Sequence, residues 1–99
     1  MAKILLLYHD GMAVEYKGQY YEVGVFPMGL DEYVWASHVR YYILEKPKDI
    51  ERFGHKLEPE VVEDYKEYAQ KPGHKEYLRI LLSYYPELEP YIHEAAKPL

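Results

Sequence analysis

His9 and Asp10 are the adjacent pair of side chains in this sequence best suited to chemistry. They follow an apolar run, and imidazole and carboxylate groups at the end of a strand commonly bind metals or transfer protons. Together with Glu15 or Glu22 they would form the centre of a small metal-dependent hydrolase or nuclease. The alternative is structural, with Asp10 serving a turn and His9 lying at the rim of a sheet. We favour the structural interpretation, because the register derived below puts both glutamates on the face opposite His9.

The other groups that carry chemistry are scattered singly along the chain. No HExxH or related spacing places two histidines on one helical face, and neither serine lies in a GxSxG motif. Cysteine and threonine are absent, and there is no glycine-rich phosphate-binding motif. We therefore predict no catalytic residue, no metal ligand and no cofactor. The scattered histidines are His38, His55, His74 and His93, and the two serines are Ser37 and Ser83.

Three short apolar runs separated by glycine-containing turns open the chain. They are Lys3–Tyr8, Met12–Tyr16 and Gln19–Phe26, and they are joined by Asp10-Gly11 and Lys17-Gly18. Asp-Gly between alternating apolar residues is typical of a two-residue type I′ hairpin turn, which needs positive φ at both central positions. The pattern predicts an antiparallel meander of three strands.

The predicted turns fix a register, which sorts the side chains onto two faces. Leu7 would lie opposite Val14, and Val14 opposite Tyr21. The first face is apolar and we expect helices to cover it; it collects Leu5, Leu7, His9, Met12, Val14, Tyr16, Tyr21, Val23 and Val25. The second face is apolar at its ends and acidic in the middle; it collects Ile4, Leu6, Tyr8, Ala13, Glu15, Tyr20, Glu22, Gly24 and Phe26.

The segment after the meander admits two interpretations. Pro27-Met28-Gly29 breaks the sheet. We predict a short helical or irregular segment through Trp35 and then a fourth strand from about Val39 to Glu45, because aromatic and β-branched residues dominate there. The competing interpretation is one helix from Asp31 to Glu45, since short apolar runs are ambiguous by periodicity alone.

Helical patterns fill the second half of the chain. Proline in the first turn and glycine after the last one predict a short helix from Pro47 to Phe53. Leu57-Glu58-Pro59 opens a helix that continues to about Gln70, and Lys71-Pro72-Gly73 ends it. His74 to Tyr85 is the most apolar helix. Leu88-Glu89-Pro90 repeats the opening signal before a last helix.

The predicted fold class is α+β. An N-terminal antiparallel meander of three to four strands packs against a C-terminal layer of three to four short helices. The 99 residues are expected to form a single domain, in which residues 1–46 are mainly β and residues 47–99 mainly α.

Charge and hydropathy argue against two classes of partner. The net charge is −5 and only three arginines are present, whereas affinity for phosphate backbones comes mainly from clustered basic side chains. No apolar run approaches the roughly 18 residues that cross a bilayer. The run after Lys3 is too short for a signal peptide. We expect no nucleic-acid partner, no membrane contact and a cytoplasmic location.

The amino-acid composition indicates a protein from an organism that lives at high temperature. Cysteine, threonine and asparagine are absent and glutamine occurs twice, while tyrosine, glutamate and lysine are abundant. Loss of thermolabile residues with Lys and Glu enrichment is typical of thermophile proteins. In this respect the chain resembles the small Tyr-rich orphan proteins encoded by hyperthermophilic archaea and by their viruses, filamentous ones among them. The resemblance is compositional and carries no motif. It implies thermostability and an archaeal or viral source, with the host cytoplasm as the location in the viral case, but no activity.

Thirteen tyrosines are more than one small core accommodates. Tyrosine combines a large apolar body with a polar tip and few rotatable bonds, which suits protein interfaces. We expect a contact surface on the second sheet face, unless residues 30–53 fold over it. The sequence therefore predicts a non-enzymatic protein–protein interaction module that binds itself, as a homodimer, or another protein. The predicted contact residues are Tyr8, Tyr20, Phe26, Trp35 and Tyr42.

Overall fold

A four-stranded antiparallel sheet forms the first layer of the computed structural model, which describes residues 1–25 and 31–97. Strands β1 (Ala2–Tyr8), β2 (Gly11–Tyr16) and β3 (Gln19–Gly24) are consecutive in the sheet, and the short β4 (His55–Lys56) pairs with the outer side of β3. The sheet and the helices that follow confirm the predicted α+β class.

The helices occupy most of the chain after residue 31. They are α1 (Glu32–Arg40), continued by a π-helical turn (Tyr41–Glu45), then α2 (Lys48–Phe53), α3 (Pro59–Tyr68) and α4 (Pro72–Tyr84). Residues 86–97, here called the C-terminal segment, contain the 3₁₀ turns Pro86–Tyr91 and Glu94–Ala96. Within the two described ranges, no helix has the length and apolar character needed to cross a membrane.

The second turn follows the prediction and the first does not. Lys17 and Gly18 have φ of 52° and 78°, as a type I′ turn requires. The predicted pairing of Val14 with Tyr21 is confirmed. In the first hairpin Tyr8 pairs with Gly11, so the turn residues are His9 and Asp10 and the predicted Asp10-Gly11 turn is wrong.

Gly11 has a different reason to be glycine. It lies in β2, where an added Cβ would be 2.7 Å from the ring of Tyr8 and 3.0 Å from the carbonyl oxygen of Val23. A close approach between neighbouring strands, rather than a left-handed turn conformation, therefore selects the residue. The register moves by two residues relative to the prediction, and side chains near the turn keep their predicted faces.

A β-bulge at Leu5 changes the faces farther along β1. Leu6 pairs with Ala13, but Ile4 pairs with Val14, so one extra residue is inserted on β1. Ile4 consequently shares a face with Val14, which corrects its predicted position on the second face. Both Ile4 and Leu5 are fully buried.

Residues 31–45 form a helix, and the predicted fourth strand from Val39 to Glu45 is wrong. Asp31 caps the helix by accepting a hydrogen bond from the backbone N–H of Tyr33 at 2.9 Å. Burial follows helical spacing, because Trp35, Val39 and Ile43 all point inward. This apolar stripe outweighs the strand propensity of the individual residues. The change from strand to helix thus comes earlier than residue 46, and the competing single-helix interpretation is correct.

The remaining helices correspond to the predictions with shifted bounds. Pro72 and Gly73 were expected to end one helix, but they are the first residues of α4, where proline suits the first turn. The last predicted helix is replaced by 3₁₀ turns, and Ile92 within it makes an isolated bridge to Ile4.

The first face of the sheet is buried and the second is partly covered. Met12 and Val14 on the first face are fully buried, and so is Ala13 on the second. Tyr20 and Glu22 on the second face are half-buried, so this face is not the open contact surface that the sequence offered as one of two expectations.

His74 closes the outer edge of β1. Its Nε2 accepts the backbone N–H of Leu7 at 2.9 Å, and its Nδ1 donates to the carbonyl oxygen of Ala69 at 3.1 Å. Farther along the same edge, the N–H of His93 donates to the carbonyl oxygen of Ile4 at 2.8 Å. An edge strand with satisfied backbone groups does not offer a template for another chain.

A pair of glycine substitutions tests the packing of α2 on the sheet. We expect Gly54→Ala to lower the free energy of unfolding by about 1–3 kcal/mol, because its Cβ would lie 2.5 Å from the carbonyl oxygen of Ile50 in α2 and 3.2 Å from that of Glu22 in β3. Gly73→Ala is the matched control, since an added Cβ there has no neighbour within 4 Å, and it should be neutral or stabilising by up to about 1 kcal/mol. Urea denaturation measures both. Equal effects would contradict the packing described for Gly54.

The buried imidazole of His74 predicts an acid-sensitive fold. Burial lowers the pKa of His74 below its ordinary value of 6.5. Below about pH 6.5 the imidazole of the unfolded chain therefore binds a proton that the folded chain does not bind. The contribution of His74 to the free energy of unfolding is thus complete above about pH 6.5 and is lost as the pH falls below that value. In His74→Gln, whose amide oxygen can accept the Leu7 N–H without titrating, the loss of stability between pH 7 and pH 5 should be smaller. Urea denaturation across this range is the measurement, and an unchanged pH slope would exclude His74 as the cause.

Candidate functional site

The residues predicted for the contact surface are mostly engaged inside the fold. Trp35 is only 6% exposed, and its indole N–H donates to the carbonyl oxygen of Tyr8 at 3.2 Å. Tyr8 and Tyr20 are half-buried on the second sheet face, and Tyr42 is half-buried beside Tyr41. Phe26 lies outside the described residues. The structure therefore does not bring these side chains together on one open surface.

A carboxylate lies at the centre of the covered face. Tyr65 of α3 donates to Oε2 of Glu22 at 2.9 Å, and the hydroxyl of Tyr8 donates to the same oxygen. Burial and then the Glu22 carboxylate raise the pKa of both Tyr8 and Tyr65 above their ordinary value of 10.0. Both phenols thus stay protonated and hold the carboxylate in place, which makes this cluster a structural connection between α3 and the sheet.

A second polar cluster joins the C-terminal segment to the same face. Nδ1 of His93 accepts the N–H of Ala95 at 3.0 Å, so the proton of the neutral ring is on Nε2. Nε2 lies 2.9 Å from the hydroxyl of Tyr20 and 3.5 Å from Oε1 of Glu15. His93 is only 8% exposed, and burial followed by the charge of Glu15 raises the pKa of Tyr20. Sequence reasoning missed His93, because its partners come from the far end of the chain.

The residues of the metal-centre hypothesis do not converge. Asp10 and Glu22 line a shallow cleft of about 460 Å³, but His9 and Glu15 are not part of its lining. Glu15 lies beside His93 instead. Among residues 1–25 and 31–97, no three His, Asp or Glu side chains are grouped so that they can hold a metal ion.

Exposed tyrosines gather at a different place, where α1 meets the end of α4. Tyr33 is 54% exposed and Tyr84 is 41% exposed, and their rings meet edge to face with centroids 5.8 Å apart. The ring of Tyr85 lies 6.2 Å from that of Tyr33. We call Tyr33, Tyr84 and Tyr85 the tyrosine patch.

Hydrogen bonds fix the rear of the tyrosine patch. The hydroxyls of Tyr85 and Ser37 are 2.9 Å apart, and the guanidinium of Arg40 lies 5.5 Å from the centre of the Tyr85 ring. The hydrogen bond with Ser37 lowers the pKa of Tyr85. These contacts hold Tyr85 in position beside the exposed rings of Tyr33 and Tyr84. Tyr84 and Tyr85 end the segment that the sequence predicts to be the most apolar helix, and the exposure of Tyr84 was not predicted.

Comparison of the chain with protein-family models, with curated proteins and with solved structures gave no match.

The Glu22 cluster can be tested with two tyrosines of α3. We expect Tyr65→Phe to lower the free energy of unfolding by about 1 kcal/mol, because it removes a hydrogen bond to a carboxylate. Tyr68→Phe is the control, since Tyr68 is 53% exposed on the same helix, and its effect should be close to zero. Thermal or urea unfolding compares the two. A Tyr65 effect no larger than that of Tyr68 would contradict the structural role of the cluster.

Proposed function

We propose that this protein is a non-enzymatic protein-interaction module that works as a homodimer and presents its tyrosine patch to a partner protein. The observation that carries the proposal is the exposure of Tyr33 and Tyr84 as neighbouring rings, in a fold where Tyr8 and Tyr20 of the predicted face are half-buried and hydrogen-bonded.

The patch has the properties of a protein-binding hot spot. Binding energy at interfaces concentrates in a few aromatic and arginine side chains. Here the rings already pack edge to face, and Ser37 and Arg40 hold Tyr85 in position. Side chains that are ordered beforehand lose less conformational entropy on binding.

The charges near the patch favour a protein over a nucleic acid. Arg40 is the cation at its border, and it is 3.3 Å from a carboxylate oxygen of Glu87 and 3.4 Å from one of Glu45. A guanidinium already paired with two carboxylates is poorly placed to neutralise phosphates, which supply most nucleic-acid affinity.

The composition supports the remaining attributes of the proposal. Absence of cysteine, threonine and asparagine favours a thermostable protein, and with it an archaeal or viral source and a cytoplasmic site of action. Thermal unfolding of the purified chain measures the first of these.

Site-specific cross-linking followed by affinity measurement tests the patch. Tyr33 is replaced by a photo-crosslinking phenylalanine analogue, with the same replacement at Tyr68 as the exposed control on another helix. We expect a protein adduct in native lysate from position 33 and none from position 68. The adduct is then identified and purified. Tyr33→Ser combined with Tyr84→Ser should weaken its binding at least tenfold, because truncated hot-spot aromatics cost about 2 kcal/mol or more.

Two results would contradict the assignment of the patch. One is equal cross-linking from positions 33 and 68. The other is a binding measurement in which Tyr33→Ser with Tyr84→Ser leaves the affinity for the purified partner unchanged, whereas Tyr68→Ser lowers that affinity.

A further inference from the structure

A groove of about 970 Å³ runs between α4 and the C-terminal segment. Its walls include Leu78 and Leu82 from α4, and Ile92 and Ala96 from the C-terminal segment. Leu82 is half-buried, and the other three are buried. Tyr33 and Tyr84 are not among its lining residues, so the groove is a surface distinct from the tyrosine patch.

The two walls run in opposite directions along the groove. The chain turns back after α4, and the amide nitrogen of Gln70, two residues before α4 begins, lies 3.3 Å from the carbonyl oxygen of Lys97. The end of the C-terminal segment therefore lies beside the first turn of α4, which carries Lys75. Glu87 and Glu89 follow directly after the last turn of α4.

This arrangement gives the groove a basic end and an acidic end. Lys75 and Lys97 line it at the start of α4, and Glu87 and Glu89 line it at the finish. Of these, Glu87 already pairs with Arg40. Arg79 lines the groove between the two ends and pairs with Glu76 of its own helix. Within the described part of the chain, Lys75, Lys97 and Glu89 have no oppositely charged side chain within 4.0 Å. Each end of the apolar floor thus carries at least one charge that the fold itself does not pair, namely Lys75 and Lys97 at one end and Glu89 at the other.

We propose that a second copy of this chain docks on the groove, with the two α4 helices antiparallel across a two-fold axis. In such an interface the same patch of both copies meets, so that when one residue of the first copy contacts a second residue of its partner, the reverse contact is made as well. The basic end of one copy then faces the acidic end of the other, and Lys75 of each copy faces Glu89 of its partner. The apolar floors face each other between these charges.

Two further properties favour a second copy over another occupant. Antiparallel α4 helices place opposite ends of their dipoles together, and each helix of 13 residues is about 20 Å long, which lets the charges at both ends engage at once. A purely acidic or purely basic segment would match one end and oppose the other. The self-complementary charge pattern is satisfied at both ends by a copy related by a two-fold axis.

Charge reversal with mixing tests this inference, which rests on the self-association proposed above. The first variant carries Lys75→Glu and Lys97→Glu, and the second carries Glu89→Lys. Sedimentation velocity at tens of micromolar and low salt gives the mass of each. We expect the wild type at close to twice 11.8 kDa, and each variant alone with a dimer dissociation constant at least tenfold higher. An equimolar mixture of the two variants should restore the dimer as a heterodimer.

Matched controls separate specific pairing from net charge. Lys46→Glu combined with Lys48→Glu, and separately Glu60→Lys, reverse the same numbers of exposed charges away from the groove, and both should dimerise like the wild type. Circular dichroism confirms that every variant is folded. Variants that stay fully dimeric alone, or a mixture that stays monomeric, would overturn the groove assignment while leaving self-association intact. A monomeric wild type would refute self-association itself, and the cross-linking test of the tyrosine patch is independent of that result.

Discussion

A small sheet that is apolar on both faces needs cover on both sides, and this requirement determines where the rest of the chain goes. The fully buried Met12 and Ala13 are neighbours in β2 that point to opposite faces, so this strand is shielded from water on both sides. The cover must also satisfy Glu15 and Glu22, which the sheet carries in its middle. Tyrosine meets both demands, because its ring buries apolar surface while its hydroxyl reaches a carboxylate or an imidazole. Much of the unusual tyrosine content is thereby explained by the interior of the fold.

The parts of the fold that depend on local chemistry were predictable from the sequence. Lys17 and Gly18 define a turn by themselves, and the pairing of β2 with β3 followed from it. The first turn was predicted one residue too late, because Asp10 suits a turn with either of its neighbours. Gly11 is needed for close packing between strands and not for the turn. A bulge at Leu5 leaves no mark in a continuous run of leucines. The helix through Val39 was predicted as a strand because its residues have strand propensity. The buried stripe that makes it a helix depends on contacts with distant parts of the chain.

The candidate site was less predictable than the fold, because it is made by contacts between distant residues. Tyr33 and Tyr84 are neighbours only because α1 packs against α4, 51 positions away in sequence number. Likewise the two ends of the groove exist because the C-terminal segment folds back along α4. The chemical properties of tyrosine made it a candidate for a contact surface. They did not distinguish the tyrosines that pack on the sheet from the tyrosines that stay exposed to solvent. If both proposed surfaces operate, a dimer carries two tyrosine patches, and a partner with two binding sites gains avidity from the pair without any new contact.

The outer edge of β1 is covered by residues from the C-terminal half of the chain, and partial unfolding would expose it. The segment Ile4-Leu5-Leu6-Leu7 is uncharged and free of proline, the composition of segments that stack into cross-β fibrils. In the native state its outer edge meets one imidazole, that of His74, and one short bridge, at Ile92. The C-terminal half of the chain therefore covers this edge in the native state, and during synthesis the edge stays uncovered until the ribosome has released α4 and the C-terminal segment.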